Sequence, residues 1–500
     1  MLKLTDGQAM ALSNIKDWLN SGELFYRLKG YAGTGKTTMT QEVIKLINIP
    51  NIAITAPTHQ ATIVISDKTG IEGRTIQSLL GLAPNTNLEE FDSNNPQFAV
   101  INREIIEDFN FLIVDEASML STDLLLLIED AAQKFRVRVL FVYDDAQLPP
   151  VGDIDIPIND VTHMGISQLT EVVRQAEDSP LLEILTKIRG DLNTLKYPHY
   201  PSRKGTDGGL MNMPEEKFIE LIQDRFVKLF KSGKTHTERV LAFTNKSVSA
   251  WNSAIRKSIR EAIPEEKNNP FSAYFMVGEV LTSYTTLRDS MIRNSGNYVV
   301  EMVEPKRISL SYKEIDSNAN PKSDWIPVII KVFRLRLRDV TTGKRELVDV
   351  LANSVKNFSK YYKVHTYYHT LGVKKRLWPK YYGWREKIML MKDLMVDGRL
   401  ITRKDLDYSY ASTVHKSQGS TYRNVYIDIP DILKLEDAQF CRFLYNTEKK
   451  RARKNMMTSA LFSKRYPSYR DYFVSQQNLK NRLLYVALSR PEVFAVLSEV

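Results

Sequence analysis

The chain has 500 residues, 43% hydrophobic and 26% charged, with a formal charge of +10 and a pI near 9.2. It is too long for one hydrophobic core, which predicts roughly two to four domains. No apolar run approaches the ~18 residues of a membrane helix and Met1–Gln8 carries no signal-peptide pattern. The lone cysteine, Cys441, excludes an internal disulfide and a cysteine-rich zinc site. A cytoplasmic chain with no membrane partner is expected. The basic excess suits a phosphate-backbone partner, or simply reflects a basic proteome.

In chain order, Leu24–Lys29 reads as a strand that meets Gly30-Tyr-Ala-Gly-Thr-Gly-Lys-Thr37, after which Met39, Val43, Ile44 and Ile47 recur at helical spacing. Strand, glycine-rich loop and helix together form a phosphate-binding loop. The backbone of Gly33, Thr34 and Gly35, with Thr38 one turn on, is placed to cradle phosphates. Lys36 reaches the β/γ-phosphates of ATP and Thr37 holds Mg²⁺. Ile52–Ala56 is a second strand, stopped by Pro57. The apolar run from Phe109 ends in Asp115 and Glu116. In a parallel sheet these emerge beside the phosphates, Asp115 towards Mg²⁺ and Glu116 towards the attacking water. Val137–Tyr143 leads likewise to Gln147, an amide placed to sense the γ-phosphate.

Further along, residues 198–216 are punctuated like a linker, and Val277–Val280, Asn297–Val303 and Val328–Leu337 read as strands. Residues 361–385 interleave tyrosines and tryptophans with lysines and arginines, which suits either a single-strand platform or a small aromatic core. His365 and His369 lack the further ligands that a metal site needs. The run Lys449–Lys454 reads first as a solvated helix face, with contact to a DNA backbone or imitation of a nuclear address as the alternatives.

These segments, in this order, resemble the motifs of superfamily 1 DNA helicases of the RecD/Dda branch. Leu4-Thr-Asp-Gly-Gln8 resembles the adenine-reading glutamine motif, and Ala56-Pro57-Thr58-His59-Gln-Ala61 with Thr75-Ile-Gln-Ser78 resembles strand-contacting segments. Asp115-Glu-Ala-Ser118 and Gln147-Leu-Pro-Pro150 fit the second and third motifs. Leu169–Gln175 holds the arginine-finger candidate Arg174. Ala242-Phe-Thr244-Asn245-Lys246, Ser412-Thr413-Val-His415-Lys416-Ser-Gln418-Gly419 and Tyr485-Val-Ala-Leu-Ser-Arg490 complete a set spanning residues 4 to 490.

The resemblance implies an α/β fold of two RecA-like P-loop NTPase lobes with ATP between them. The first lobe takes residues 1–81 and 105–180, interrupted at 82–104 by a pin hairpin with Phe91 and Phe98 as tip candidates. The second takes 181–275 and 411–500, interrupted at 276–410 by an SH3-like β insertion with an extension. It implies Lys36, Glu116, Gln147, Arg174 and Arg490 as catalytic, and Gln8 at the adenine. DNA contacts fall at Pro57, Thr58, His59, Thr75, Phe98, Thr244, Asn245, Thr413, His415 and Lys416. The partners implied are single-stranded and forked DNA, with replication or recombination proteins, for a monomer moving 5′ to 3′. Rival readings are a translocase that mainly displaces proteins, an RNA motor, and a non-motor protein switched by ATP. Three features depart from the pattern: Tyr143 for a common glycine, Gln77 for a common histidine, and about sixty residues between the last two motifs.

Overall fold

The computed structural model describes residues 4–47, 51–84, 98–100, 102–150, 153, 155–171, 180–192, 194, 196–205, 208–453 and 456–499. Its first helix, Asp6–Asn20, starts at a capping box: the Thr5 hydroxyl accepts from the Gln8 N–H, and the Gln8 side-chain carbonyl accepts from the Thr5 N–H. The strands that follow are β1 (Phe25–Gly30), β2 (Ile52–Ala56), β3 (Gly73–Thr75), β4 (Leu82–Pro84), β5 (Phe98–Val100), β6 (Phe111–Val114), β7 (Arg138–Tyr143) and β8 (Gly165–Leu169). All but β4 and β5 form one parallel sheet in the order β3-β2-β6-β7-β1-β8.

Side-chain alternation divides the core of this lobe between the two faces of the sheet. Phe111 and Ile113 join Met39, Val43 and Ile15, while Leu112 and Val114 join Leu125, Ile128 and Ala132. Helices cover both faces, so the strands read as unbroken apolar runs. Their C-terminal ends lie along one edge, which brings Gly30, Pro57, Asp115 and Asp144 to the same side of the lobe. β4 and β5 pair with each other, antiparallel, within 82–104. Phe91 and the side chain of Phe98 lie outside the described residues.

The second lobe opens with the helix Pro180–Gly190, then β9 (Arg203–Lys204), β10 (Gly209–Met213) and β11 (Glu238–Ala242). Residues 198–216 are therefore not a linker: they supply two sheet strands, and β10 lies inside the sheet. Gly208 and Gly209 allow the close approach, since a Cβ on either would fall within about 2 Å of a neighbouring carbonyl oxygen. The chain then leaves through the helix Asn245–Ala262 into the insertion. Its strands are β12 (Val280–Ser283), β13 (Asn297–Tyr312), β14 (Ile326–Asp339), β15 (Arg345–Leu351), β16 (Leu394–Val396), β17 (Arg399–Thr402) and β18 (Leu406–Tyr408). It returns through β19 (Ala411–Thr413), β20 (Tyr422–Ile427) and β21 (Pro491–Ser498). The resulting sheet, β19-β11-β20-β21-β10-β9, is parallel except for the edge strand β9.

The insertion is a five-stranded antiparallel sheet, β15-β14-β13-β12-β18. The strand expected at Val277 begins only at Val280, because Gly278 turns the chain at φ +91°. The far ends of β13 and β14 carry the helices Val355–Lys375 and Trp378–Arg385. There Tyr361, Trp378, Tyr381 and Trp384 are buried against Val328, Ile330 and Val332. The aromatics of 361–385 thus build this unit's own core, and those four rings have no open face for bases. His365 is buried among them, and burial lowers its pKa to about 3.

One buried ion pair fastens the insertion to the second lobe. Arg256, on Asn245–Ala262, meets Glu279 at 2.5 Å, donates to the carbonyls of Ser272 and Tyr274, and lies 3.9 Å from the centre of the Tyr408 ring. Tyr410 donates to the same carboxylate. Removing one partner leaves a buried charge uncompensated, at a cost of about 3–5 kcal/mol. Arg256→Met should lower the unfolding free energy of that unit by about that amount in a urea titration; a loss of under about 1 kcal/mol would contradict the assignment.

Candidate active site

β1 runs next to the edge of the first sheet, between β7 and the edge strand β8, and delivers Gly30 to the start of the loop. A Cβ at Gly30 would lie 2.7 Å from the Thr34 hydroxyl and 3.1 Å from Lys36 Cγ, so the turn closes only around glycine. Gly33 and Gly35 hold φ near +80°, in the left-handed region. The loop enters the helix Lys36–Leu46, whose first N–H groups form an anion-binding end with Thr37 and Thr38 on its first turn. Lys36 Nζ donates to the carbonyls of Gly30 (2.8 Å) and Tyr31 (3.1 Å) and stands 3.9 Å from the Asp144 carboxylate. The buried Thr34 accepts at its carbonyl from the Gln8 side-chain nitrogen, at 3.0 Å. Gln8 therefore ties the first helix to the loop.

Asp115 and Glu116 follow β6 directly. Desolvation, reinforced by the Glu116 carboxylate and opposed by Lys36, raises Asp115 well above the usual carboxylate range. Glu116 sits at φ +52°, a strained conformation for a residue with a side chain. One of its carboxylate oxygens, Oε2, is buried without a hydrogen-bond partner. A carboxylate at Asp115 that is costly to ionise, the orphaned buried oxygen of Glu116 and the Thr37 hydroxyl suit a divalent cation carried with a triphosphate.

The second lobe meets this loop directly. The Tyr485 hydroxyl, on the helix Tyr469–Leu488, accepts from the Ala32 N–H at 3.0 Å and donates to Asp144 at 2.7 Å. One turn earlier, Arg482 donates to the carbonyls of Asp145 (2.5 Å) and Gln147 (2.7 Å). Arg189 places its guanidinium 4.2 Å from the centre of the Tyr31 ring, a cation–π contact across the cleft. Asp144 is fully buried; burial raises its pKa, and Lys36 and the Tyr485 bond oppose the rise. Asp145 pairs with Lys29. Gln147 is buried and lies 3.5 Å from the Gln418 amide of the second lobe.

Arg490 is buried, and its guanidinium donates to Val486 O, Ser420 O and the Ser489 hydroxyl, all in its own lobe. Arg174 lies outside the described residues. Thr58 caps the helix His59–Thr69 and Thr75 caps Ile76–Leu79, so both hydroxyls serve the backbone. Pro57 and His59 are half-buried, and burial followed by Arg293 lowers the His59 pKa. Gly419 of the second lobe packs on this segment: a Cβ there would lie 2.8 Å from Ala61 Cβ, and its φ is +72°. Thr244 bonds Asp431 through its hydroxyl and its N–H, Asn245 is exposed, and Thr413 accepts from the Lys416 N–H. His415 is half-buried, and desolvation lowers it to about 4, so it is neutral near pH 7. Lys416 Nζ stands 3.0 Å from the centre of the Tyr284 ring with no hydrogen-bond partner.

Tyr485 was named from the sequence only as the first residue of the last motif, without a role, and Arg482, Arg189, Asp144 and Tyr284 were not singled out. For the first two a signal existed: they are three apart on a helix, on the face that ends at Ser489 and Arg490.

A glycine-rich loop between parallel strands, acids closing the neighbouring strand and a second parallel-sheet lobe touching the loop define a two-lobed P-loop NTPase. Comparison with known proteins agrees. Residues 3–200 match the AAA domain family, and 408–447 match the UvrD-like helicase C-terminal domain. The chain is 24% identical to the uncharacterized protein R530 of Acanthamoeba polyphaga mimivirus, over 88% of this chain and 94% of that one. It is 30% identical to the ATP-dependent DNA helicase dda of Enterobacteria phage T4, over 56% of this chain and 60% of the relative. With the ATP-dependent RecD2 DNA helicase of Deinococcus radiodurans the identity is 33%, over 36% and 23%. The alignments thus span less than two thirds of either named helicase. These matches support a likeness to the superfamily 1 helicases, in the branch that includes Dda and RecD.

Proposed function

We propose that this protein is an ATP-driven DNA helicase that advances along one strand, 5′ to 3′, as a monomer and separates the duplex ahead of it. The observation that carries the reading is the Tyr485 hydroxyl, from the last motif of the second lobe, which accepts from Ala32 in the nucleotide loop and donates to Asp144, both in the first lobe. A site assembled across two lobes couples hydrolysis to their relative motion.

In this reading the backbone from Gly33 to Thr38 cradles the phosphates, and Lys36 exchanges the Gly30 and Tyr31 carbonyls for β/γ-phosphate oxygens. Thr37 and Asp115 would hold Mg²⁺, which would offset charge on those phosphates. Glu116 orients the attacking water and takes its proton, using the oxygen that has no protein partner. Gln147 senses the γ-phosphate and passes its state to Gln418. On closure Arg490 leaves the Ser420 carbonyl and, with Arg174, meets the charge that develops at the transferring phosphoryl group. Such arginines contribute about 10³–10⁵ in rate. Gln8 reads adenine at the edge of the same loop.

DNA is assigned to Pro57, Thr58, His59 and Thr75 of the first lobe and Thr244, Asn245, Thr413, His415 and Lys416 of the second, whose Gly419 packs against Thr58 and Ala61. The β4–β5 hairpin, with Phe98, acts as the pin, and the five-stranded insertion as the SH3-like module. Among the described residues no helix is long and apolar enough to cross a membrane.

Lys416 gives a signed pH test. Desolvation, helped by Lys404 and opposed by Asp407, holds its ammonium down to about 7. A phosphate favours the charged form, so binding takes up a proton above that pH. Affinity for a single-stranded oligonucleotide should fall as pH rises from 7 to 9, by up to about tenfold per unit, and Lys416→Gln should flatten the profile. Parallel profiles in a fluorescence anisotropy titration would contradict the contact.

The function itself is tested with fluorescent forks carrying a single 5′ or 3′ tail. The protein should unwind the 5′-tailed fork with ATP, leave the 3′-tailed fork paired, and lose the activity on Lys36→Ala. Unwinding of the 3′-tailed fork alone would overturn the polarity. Displacement of a bound protein block without strand separation would favour a translocase.

A further inference from the structure

The charge of this chain is concentrated in one place. Residues 438–470, between the last two motifs, contain nine Lys and Arg residues and one Glu, a surplus of eight in a chain whose formal net charge is +10. This segment forms two helices, Ala438–Ala452 and Met456–Arg465, which pack against the start of Tyr469–Leu488. Tyr445, Phe462, Tyr466 and Tyr472 pack tilted or edge-to-face at 4.9–5.6 Å between ring centres and hold the hairpin together. Its one carboxylate, Glu448, lies near Tyr472, whose phenol pKa is raised by burial and then by this charge. Asp437 and Asp471, at its two ends, are engaged in capping.

The outer face is left to the cations. Arg442, Lys449 and Arg453 recur at helical spacing, with Lys450 beside them, along about 16 Å of helix. Arg442 lies 4.1 Å from the centre of the Tyr469 ring, and Lys449 lies 5.1 Å from the centre of Tyr445, so two of the four are held in position. Among the described residues none of the four has a carboxylate within 4.0 Å. Arg465, farther along, meets Asp153 of the first lobe at 3.7 Å, so the hairpin reaches both lobes.

We infer that this hairpin is a second DNA-binding surface, outside the motif-lined track, and that its ligand is the phosphate backbone of duplex DNA at the fork. A single-strand platform needs a series of open aromatic faces. Here the rings are turned inward, and Phe443 stands out among the described aromatics of the hairpin as widely exposed. A rigid row of cations fits instead the dense, regular charge of a duplex, about one negative charge per 1.7 Å of axis. Contact with duplex ahead of the motor keeps the fork oriented while the tail is threaded. The inference rests on the helicase reading.

The test uses the full chain and the variant Arg442→Gln/Lys449→Gln/Lys450→Gln/Arg453→Gln. Affinity for a 5′-tailed fork and for the tail alone is measured by anisotropy across a salt series. The wild type should show a steeper salt dependence on the fork than on the tail. The variant should lose that excess, about 0.9 in slope per lost phosphate contact, and bind the fork at least about tenfold more weakly near 100 mM salt. Its tail affinity and tail-stimulated ATP hydrolysis should be unchanged. Equal fork slopes for the two proteins would overturn the surface, as would a parallel loss on the tail alone. If the fourfold variant melts early, Lys450→Gln/Arg453→Gln carries the same comparison with half the change. A wild type without tail-stimulated hydrolysis would instead count against the helicase reading, and the fork-versus-tail slopes would still decide the surface.

Discussion

The phenolic oxygen of Tyr485 receives a hydrogen bond from the nucleotide loop and gives one to Asp144, a carboxylate with no exposure to solvent. Asp144 tolerates that burial because Tyr485 donates to it and Lys36 supplies positive charge 3.9 Å away. In the proposed function Lys36 is also the group that phosphates recruit. When its ammonium turns to an incoming triphosphate, Asp144 loses part of its compensation and leans harder on Tyr485. Nucleotide binding and lobe contact therefore share one buried charge. Arg482 on the Asp145 and Gln147 carbonyls and Arg189 on Tyr31 extend the junction along the same seam. This physical link makes the phosphate loop half of a site and the second lobe the other half.

The sequence exposed what is local. Gly30–Thr37 announced its turn because glycine geometry and helix entry are short-range requirements. Buried parallel strands such as Phe111–Val114 appear as continuous apolar runs. Contacts that span hundreds of positions left little trace: nothing near Asp144 predicts a tyrosine 341 residues later. The aromatic run 361–385 offered core and platform alike, and the choice fell to core because the far ends of β13 and β14 have apolar faces to cover. Residues 198–216 looked like a linker since β9 and β10 are short and rich in glycine nearby, and the sheet edge that admits them is assembled from distant strands.

The additions to the two lobes are of different kinds. The insertion is a stiff unit, locked to the second lobe through Arg256 and Glu279, and it brings Tyr284 over Lys416 at the seam between lobes. The hairpin between the last two motifs has its own aromatic interior and an outer face of cations. Neither alters the nucleotide loop. In the proposed function each instead extends the surface that the motor presents to a charged polymer.

The central claim is that hydrolysis needs a group delivered by the second lobe, and Arg490→Ala tests it most directly. With DNA present, steady-state turnover should fall on the order of 10³-fold while nucleotide affinity stays within a few-fold of the wild type. If affinity falls in step with turnover, or turnover is unchanged, Arg490 does not act in the transition state and the account of a site shared between lobes fails.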